Sequence, residues 1–216
     1  MSAEPPRSTC DSLRWRQVRE RLLKRLARDT AAGVVDRDIV DVLEAINSCP
    51  YMVTSSSCSG RIAVFAAPHP KDKKAGGIVA SWHGRVEPSE LLDAIREALA
   101  TGQSYVWASA QPPLVALHSC SLYWADVAAN LMAHHGFKYV GYRFTQRSVS
   151  YYLTVRAHSR IDVPLRVNGL TIIEGTDPGM VQRLAYTLNL YFLEGQRELV
   201  KLRAAARRLA TLCEQA

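Results

Sequence analysis

Thr54-Ser55-Ser56-Ser57-Cys58-Ser59-Gly60-Arg61 puts five hydroxyl side chains, broken once by a thiol, in front of a Gly-Arg pair. Apolar runs at 51–53 and 62–67 bracket it. Two such runs around small residues and a glycine predict a β-hairpin whose turn is this polar segment. A connecting turn needs only one or two residues that tolerate bent backbone, so a whole turn of donors exceeds what folding requires. Backbone N–H groups, hydroxyls and a guanidinium fork converging on one place suit a phosphate, a carboxylate or a polar heterocycle. The same composition also fits a solvated Ser-rich loop.

Outward from this stretch the pattern is helical on one side and strand-like on the other. Trp15, Val18, Leu22 and Leu26 recur at helical spacing within 12–29, with basic residues on the other faces, and Gly33 ends that helix. Asp36 is placed to cap a second helix to about residue 47, and Pro50 prevents its continuation. Residues 51–55, 61–67 and 77–83 then read as an antiparallel meander. A helix follows from Pro88 to about residue 100, with strands at 105–109 and 114–118 around Pro112-Pro113. A further helix at 122–135 ends at Gly136, and strands follow at 137–144, 149–156, 163–167 and 170–173. Thr176-Asp177-Pro178 opens a last, long helix. Mixed elements without βαβ alternation predict an α+β fold with largely antiparallel sheets and a long C-terminal helix. No linker is visible, so the expectation is one domain with a basic helical segment at 10–48, a sheet-containing core at 51–173 and the last helix at 177–213.

The chain's 216 residues, 48% of them hydrophobic, suffice for an ordinary buried core. No apolar run approaches the roughly 18 residues of a membrane helix. The start carries Glu4 and two prolines instead of an apolar signal region, and the expected location is the cytosol. Five scattered cysteines, odd in number and without a CxxC pair, predict reduced thiols and no zinc site. His134 and His135 are adjacent and diverge on a helix, so no metal is expected there either. The net charge of +7 is concentrated where Arg14, Arg16, Arg19, Arg21, Lys24, Arg25 and Arg28 face only Asp11, Glu20 and Asp29. Such a surface binds a polyanion with counterion release, or serves only as a solvated helix face.

One ordered series runs through these elements: the serine-rich stretch with Ile62, then Trp82-His83, Leu117-His118, Gly136-Phe137, Val155-Arg156 and Val163-Pro164-Leu165. In this order they resemble the tRNA wybutosine-synthesizing protein 3 family over nearly all of residues 35–205. The resemblance implies a methyltransferase that uses S-adenosyl-L-methionine to methylate N4 of a demethylwyosine derivative next to the anticodon of tRNA(Phe), on a fold that is not the Rossmann type. The chain agrees in having no GxGxxG-like loop after a strand. It departs from the family pattern at Gln111, where an acidic residue is expected, and at Tyr142-Arg143-Phe144, where smaller residues are expected.

Under that resemblance Ser55, Ser57, Ser59 and Arg61 hold the polar end of the cofactor or a substrate phosphate, and Trp82 faces the sulfonium or stacks on the tricyclic base. Trp82 equally fits an interior tryptophan. His83 and His118, each ending a predicted strand, are the candidates for taking the proton lost by the attacking nitrogen, or are hydrogen-bonded structural histidines. Lys73, Lys74, Arg21 and Arg25 are assigned to the RNA backbone in the anticodon loop, and Arg156, on the strand face opposite Val155, is a substrate or tRNA contact or else an exposed charge. Cys58 reads as a packed thiol, since nitrogen methylation needs no covalent intermediate. Two rivals stay open, a non-catalytic RNA-binding protein and an enzyme that depends on Cys58.

Overall fold

The computed structural model describes residues 7–69, 72, 75–173 and 177–216. The short helix α1 (Arg7–Cys10) precedes α2 (Leu13–Ala31), and a 3-10 turn (Arg37–Ile39) leads into α3 (Val40–Ser48). Then come β1 (Met52–Cys58), β2 (Arg61–Ala67), β3 (Gly77–Trp82), α4 (Pro88–Ala100), β4 (Tyr105–Gln111) and β5 (Leu114–Ser119). They are followed by α5 (Leu122–His134), β6 (Tyr139–Thr145), β7 (Ser150–Arg156), β8 (Ile161–Val167), β9 (Leu170–Thr171) and α6 (Pro178–Glu214). Local chemistry accounts for the helix starts. Ser12 and Ser121 each accept a hydrogen bond from the backbone N–H three residues on, at 3.2 and 3.3 Å, and α4 begins with a proline inside a reciprocal Glu87–Glu90 capping box. Gly136, at φ 91°, takes the left-handed conformation that stops α5.

Every strand pair is antiparallel, in two separate sheets. One has the order β1-β5-β7-β6 and the other β3-β2-β4-β8-β9. This is the α+β class expected, with its long last helix, and it has no doubly wound parallel sheet. The hairpin reading of the serine stretch is corrected: β1 pairs with β5, β2 pairs with β3 and β4, and residues 54–58 are strand instead of turn. Only Ser59 and Gly60 connect β1 to β2, with Gly60 at φ 99°, a conformation that glycine adopts without steric cost. Pro112-Pro113 likewise leads from one sheet to the other. Proline has no N–H to donate, so the ladder cannot continue through it.

The chain falls into two compact units, each made of separated segments, which explains why no linker is visible in the sequence. The first unit takes the described residues of Met1–Ser59 with Pro113–His158 and Arg197–Ala216, and the second takes those of Gly60–Pro112 with Ser159–Gln196. In the first, the four-stranded sheet packs Leu117 and Leu153, opposite each other in register and both fully buried, among Ile46, Trp124, Met132 and Leu202. Truncating either leucine to alanine would cost about 2–5 kcal/mol. The second buries Ile62, Val64 and Val106 of its sheet against Leu91 and Ile95 of α4 and Leu188 of α6.

Two further expectations are corrected. Asp36 makes no capping hydrogen bond; its carboxylate accepts from Ser59 instead. Four of the five cysteines are not thiols but form the bridges Cys10–Cys120 and Cys49–Cys213, both inside the first unit, and Cys58 is outside them. The partners are 110 and 164 residues apart in sequence, so no local spacing announces them. An odd count is compatible with two bridges and one thiol. Among the described residues no helix is long and apolar enough to cross a membrane.

Closing so long a loop restricts the unfolded chain, and for Cys49–Cys213 the chain-entropy argument gives a ceiling of about 5 kcal/mol. We expect Cys49→Ser/Cys213→Ser to lower the urea midpoint measured without reductant, and dithiothreitol to lower that of the native chain at least as far. Equal midpoints for variant and native chain would show that the bridge does not form.

Candidate functional site

β1 is an edge strand of its sheet, and the serines in and just beyond it occupy three different environments. Opposite residues of adjacent strands share a face, and the register of β1 on β5 slips by one between Thr54 and Ser56. Thr54 therefore stands opposite buried Leu117, whereas Ser56 stands opposite Ala116, on the same face as His118 two residues on. Ser55 sits at the bulge and donates its hydroxyl to the Ala116 carbonyl at 3.3 Å. A cavity of about 210 Å³ runs along this edge. Thr54, Ser55, Ser56 and Ser57 form its polar wall, and Leu22, Leu26, Val34, Val35 and Leu43 are on its apolar side. Arg25 and Asp29 of α2 complete it, joined by a 3.2 Å hydrogen bond. Hydrogen bonds from Arg28 and Arg25 hold the Asp29 carboxyl below its usual range.

Ser59 is spent elsewhere. It is buried, and both its N–H and its hydroxyl donate to Asp36 Oδ2, at 2.7 and 3.1 Å. Arg61 opens β2 in the second unit and donates through Nε to Gln111 Oε1, its register partner on β4, at 3.0 Å. Gln111 is uncharged and thus fixes the guanidinium without neutralising it. Trp82 is half-buried against the second unit's apolar core, and His83, also in that unit, is exposed. Lys73 and Lys74 lie outside the described residues.

His118 lies in the first unit, half-buried on β5. Burial, and secondarily the charge of Arg21, pushes its imidazole below its ordinary pKa. Its Nδ1 is 2.9 Å from Ser150 Oγ. The Ser150 hydroxyl donates in turn to Ser148 Oγ at 2.7 Å, and Ser148 contacts Thr145 Oγ1. A serine hydroxyl has one proton, so Ser150 accepts from Nδ1–H, and the neutral ring is the tautomer whose lone pair is on Nε2. Among the described residues no hydrogen bond engages Nε2. Of the expected site residues, then, Ser55, Ser57 and Arg25 share one cavity, and Arg21 acts on His118. Ser150, which orients that histidine, is missed by sequence reasoning: nothing local links residues 118 and 150, and only the β5–β7 pairing brings them together.

The family model described as Methyltransferase TYW3 matches residues 17–208. The chain belongs to the TYW3 methyltransferase family. A protein of Archaeoglobus fulgidus named tRNA(Phe) 7-((3-amino-3-carboxypropyl)-4-demethylwyosine(37)-N(4))-methyltransferase is 30% identical over 191 residues, which cover 88% of this chain and 92% of that protein. A Thermococcus kodakarensis protein with the same name, numbered 1, is 34% identical over 71% of this chain and 75% of its own. Among solved structures, the PH1069 protein from Pyrococcus horikoshii superposes with a TM-score of 0.75 at 27% identity, over 89% of this chain and 96% of its own. A hypothetical protein from Aeropyrum pernix, 19% identical with a TM-score of 0.58, has the same fold. In this TYW3 methyltransferase the edge-strand cavity and the oriented histidine both lie in the first unit.

The histidine gives the stability of this TYW3 chain a pH signature. Unfolded, His118 takes up a proton near pH 6.5; folded, it does so only at lower pH. Between the two values the unfolded chain holds more protons, so the stabilisation is complete above about pH 7 and is lost as the pH falls through 6.5 towards the folded pKa. We expect the melting temperature of the native chain to fall more between about pH 7.5 and pH 5 than that of His118→Gln, the other histidines contributing equally to both. Parallel curves would remove the assignment.

Proposed function

We propose that this chain transfers a methyl group from S-adenosylmethionine to N4 of a demethylwyosine-type guanosine next to the anticodon of tRNA(Phe), in the cytoplasm. The observation that carries this reading is a relative named for that reaction whose match runs through 88% of the chain. S-adenosylmethionine would supply a methyl group activated on a sulfonium. In the transfer the carbon–sulfur bond breaks, the carbon–nitrogen bond forms, and the nitrogen gives up its proton. No covalent enzyme intermediate is required.

The first unit's residues suit this chemistry. A cavity with a hydroxyl wall, an arginine–carboxylate pair and an opposing aliphatic side fits a molecule that is part heterocycle and part zwitterion. Ser55, Ser57 and Arg25 would hold it there. Ser59, anchored on Asp36, would keep the end of the strand in place. His118, kept neutral by burial and turned by Ser150 so that the Nε2 lone pair is available, would accept the nitrogen's proton. Arg21 and Arg156 would face the RNA. Arg61, Trp82 and His83, in the second unit, have no part in this scheme.

The test is transfer of labelled methyl groups to tRNA(Phe) that carries the demethylwyosine precursor. Native protein is expected to methylate it, Ser57→Ala to raise KM for the methyl donor, and His118→Gln to lower kcat about 10²–10⁴-fold while remaining folded. Ser150→Ala should move the acidic limb of the kcat pH profile, which a purely structural serine would leave in place. Full transfer by His118→Gln removes the histidine from the chemistry. RNA binding without any transfer by the native chain would favour a non-catalytic RNA-binding protein.

A further inference from the structure

The face of the first unit's sheet that carries His118 has further features, and of its exposed aromatic and basic residues the methyl-transfer scheme gives a role to Arg156 alone. On the face that carries His118, the register of β5, β7 and β6 sets three rows. In one row Tyr152 lies between His118 and Arg143, and in another Arg156 lies beside Tyr139. Between them Thr154 stands opposite Gly141. The Arg143 guanidinium lies over the Tyr152 ring at 5.6 Å from its centroid, and that of Arg156 over Tyr139 at 5.2 Å. Tyr152 also meets the His118 ring edge-on, at 5.2 Å and 62°. Tyr139 is 54% exposed, and both arginines and Gly141 are exposed as well. A Cβ added at Gly141 would meet nothing within 4 Å, so the floor between the two pairs is open. No acidic residue occupies this face of the four strands.

Water-exposed arginine–tyrosine pairs contribute little to stability. Two in parallel rows, flanking an open floor on a face without a counter-charge, have the chemistry of a base-stacking surface. Each pair offers a ring and a guanidinium plane for a nucleobase, and the arginines also reach phosphates. Duplex RNA does not suit the surface, because its bases are stacked inside the helix, whereas unpaired nucleotides can be splayed onto a sheet. We propose that the face of β6 and β7 bearing Tyr139, Arg143, Tyr152 and Arg156 is a platform for single-stranded RNA, on which nucleotides of the substrate loop stack in a line that ends at His118. The proposal rests on the RNA-methylation reading and extends it, since it assigns the loop to a particular surface.

The test uses the full chain and a fluorescein-labelled, unmodified anticodon stem-loop RNA, with a blunt RNA duplex of similar length as control. Tyr139→Leu/Tyr152→Leu is expected to weaken stem-loop binding at least about tenfold while leaving its salt dependence and the duplex unchanged. Arg143→Gln/Arg156→Gln should flatten the slope of log K against log salt by about 1.4, two phosphate contacts to a single strand. Gly141→Ile fills the open floor on a strand where its backbone is unstrained. It should therefore keep or raise the melting temperature yet weaken stem-loop binding, which separates occlusion of the platform from damage to the fold. All three variants should bind S-adenosylmethionine as the native chain does in calorimetry. Native-like stem-loop affinity in the tyrosine and Gly141 variants overturns the platform and leaves the methylation reading standing. Loss of S-adenosylmethionine binding with RNA binding intact also overturns it, as does competition by polyglutamate equal to that of RNA at equal charge. A native chain that binds no stem-loop RNA even at low salt overturns both.

Discussion

Two buried or half-buried carboxylates hold the chain where it leaves the first sheet. At the end of β1, Asp36 accepts the N–H and the hydroxyl of Ser59; beyond β7, Glu198, 6% exposed, accepts the N–H of His158 at 3.1 Å and pairs with that imidazole at 2.5 Å. In each case the carboxylate bonds the last residue of a segment of the first unit. A backbone N–H leaving a ladder loses its partner, and a buried donor without one costs about 1–3 kcal/mol. An ionised acceptor supplies a charge-assisted bond in its place. These contacts let β1 and β7 end where they do, and the strands that follow them in sequence, β2 and β8, join the other sheet. The serine stretch is an edge strand instead of a turn for this reason.

Placing the serines on an edge strand gives them their functional meaning. A turn would have held all five hydroxyls in one loop. The strand divides them: Ser59 fixes the chain, Thr54 bonds Asn47 through its N–H and hydroxyl, and the bulge at Ser55 sets Ser56 on the face of His118. Bulges recur beside active sites because one extra residue re-aims the side chains after it. The edge of β1 then lines a cavity with Ser55 and Ser57, and the neighbouring strand β5 carries a histidine kept neutral by burial. The site that a sequence reader seeks in a turn is spread over a strand edge, its neighbour and α2.

The site was therefore legible in part. Ser55, Ser57 and His118 stand out by residue type and by the order of the motifs around them, and Arg25 and Arg21 by the basic run that contains them. Grouping Arg25 with the serines was not legible, since α2 meets β1 only through tertiary packing. Ser150 was invisible for the same reason. Tyr139, Arg143, Tyr152 and Arg156 do alternate with Val140, Tyr142, Leu153 and Val155, a period-two signal that gives the face each residue takes. It does not say that β6 and β7 pair so as to bring each arginine over a tyrosine.

By itself the sequence determined the elements. Apolar spacing, serine caps, Pro88 and Gly136 set the helices within a few residues, and β-branched and aromatic runs set the strands, because these preferences are decided by neighbours within about a turn. The class followed from their order. The tertiary structure alone decided which strands pair, that four of the cysteines are bridged, and which face each serine takes. Those outcomes depend on contacts between residues up to 164 positions apart, where burial of a shared core and satisfaction of buried polar groups outweigh any local preference.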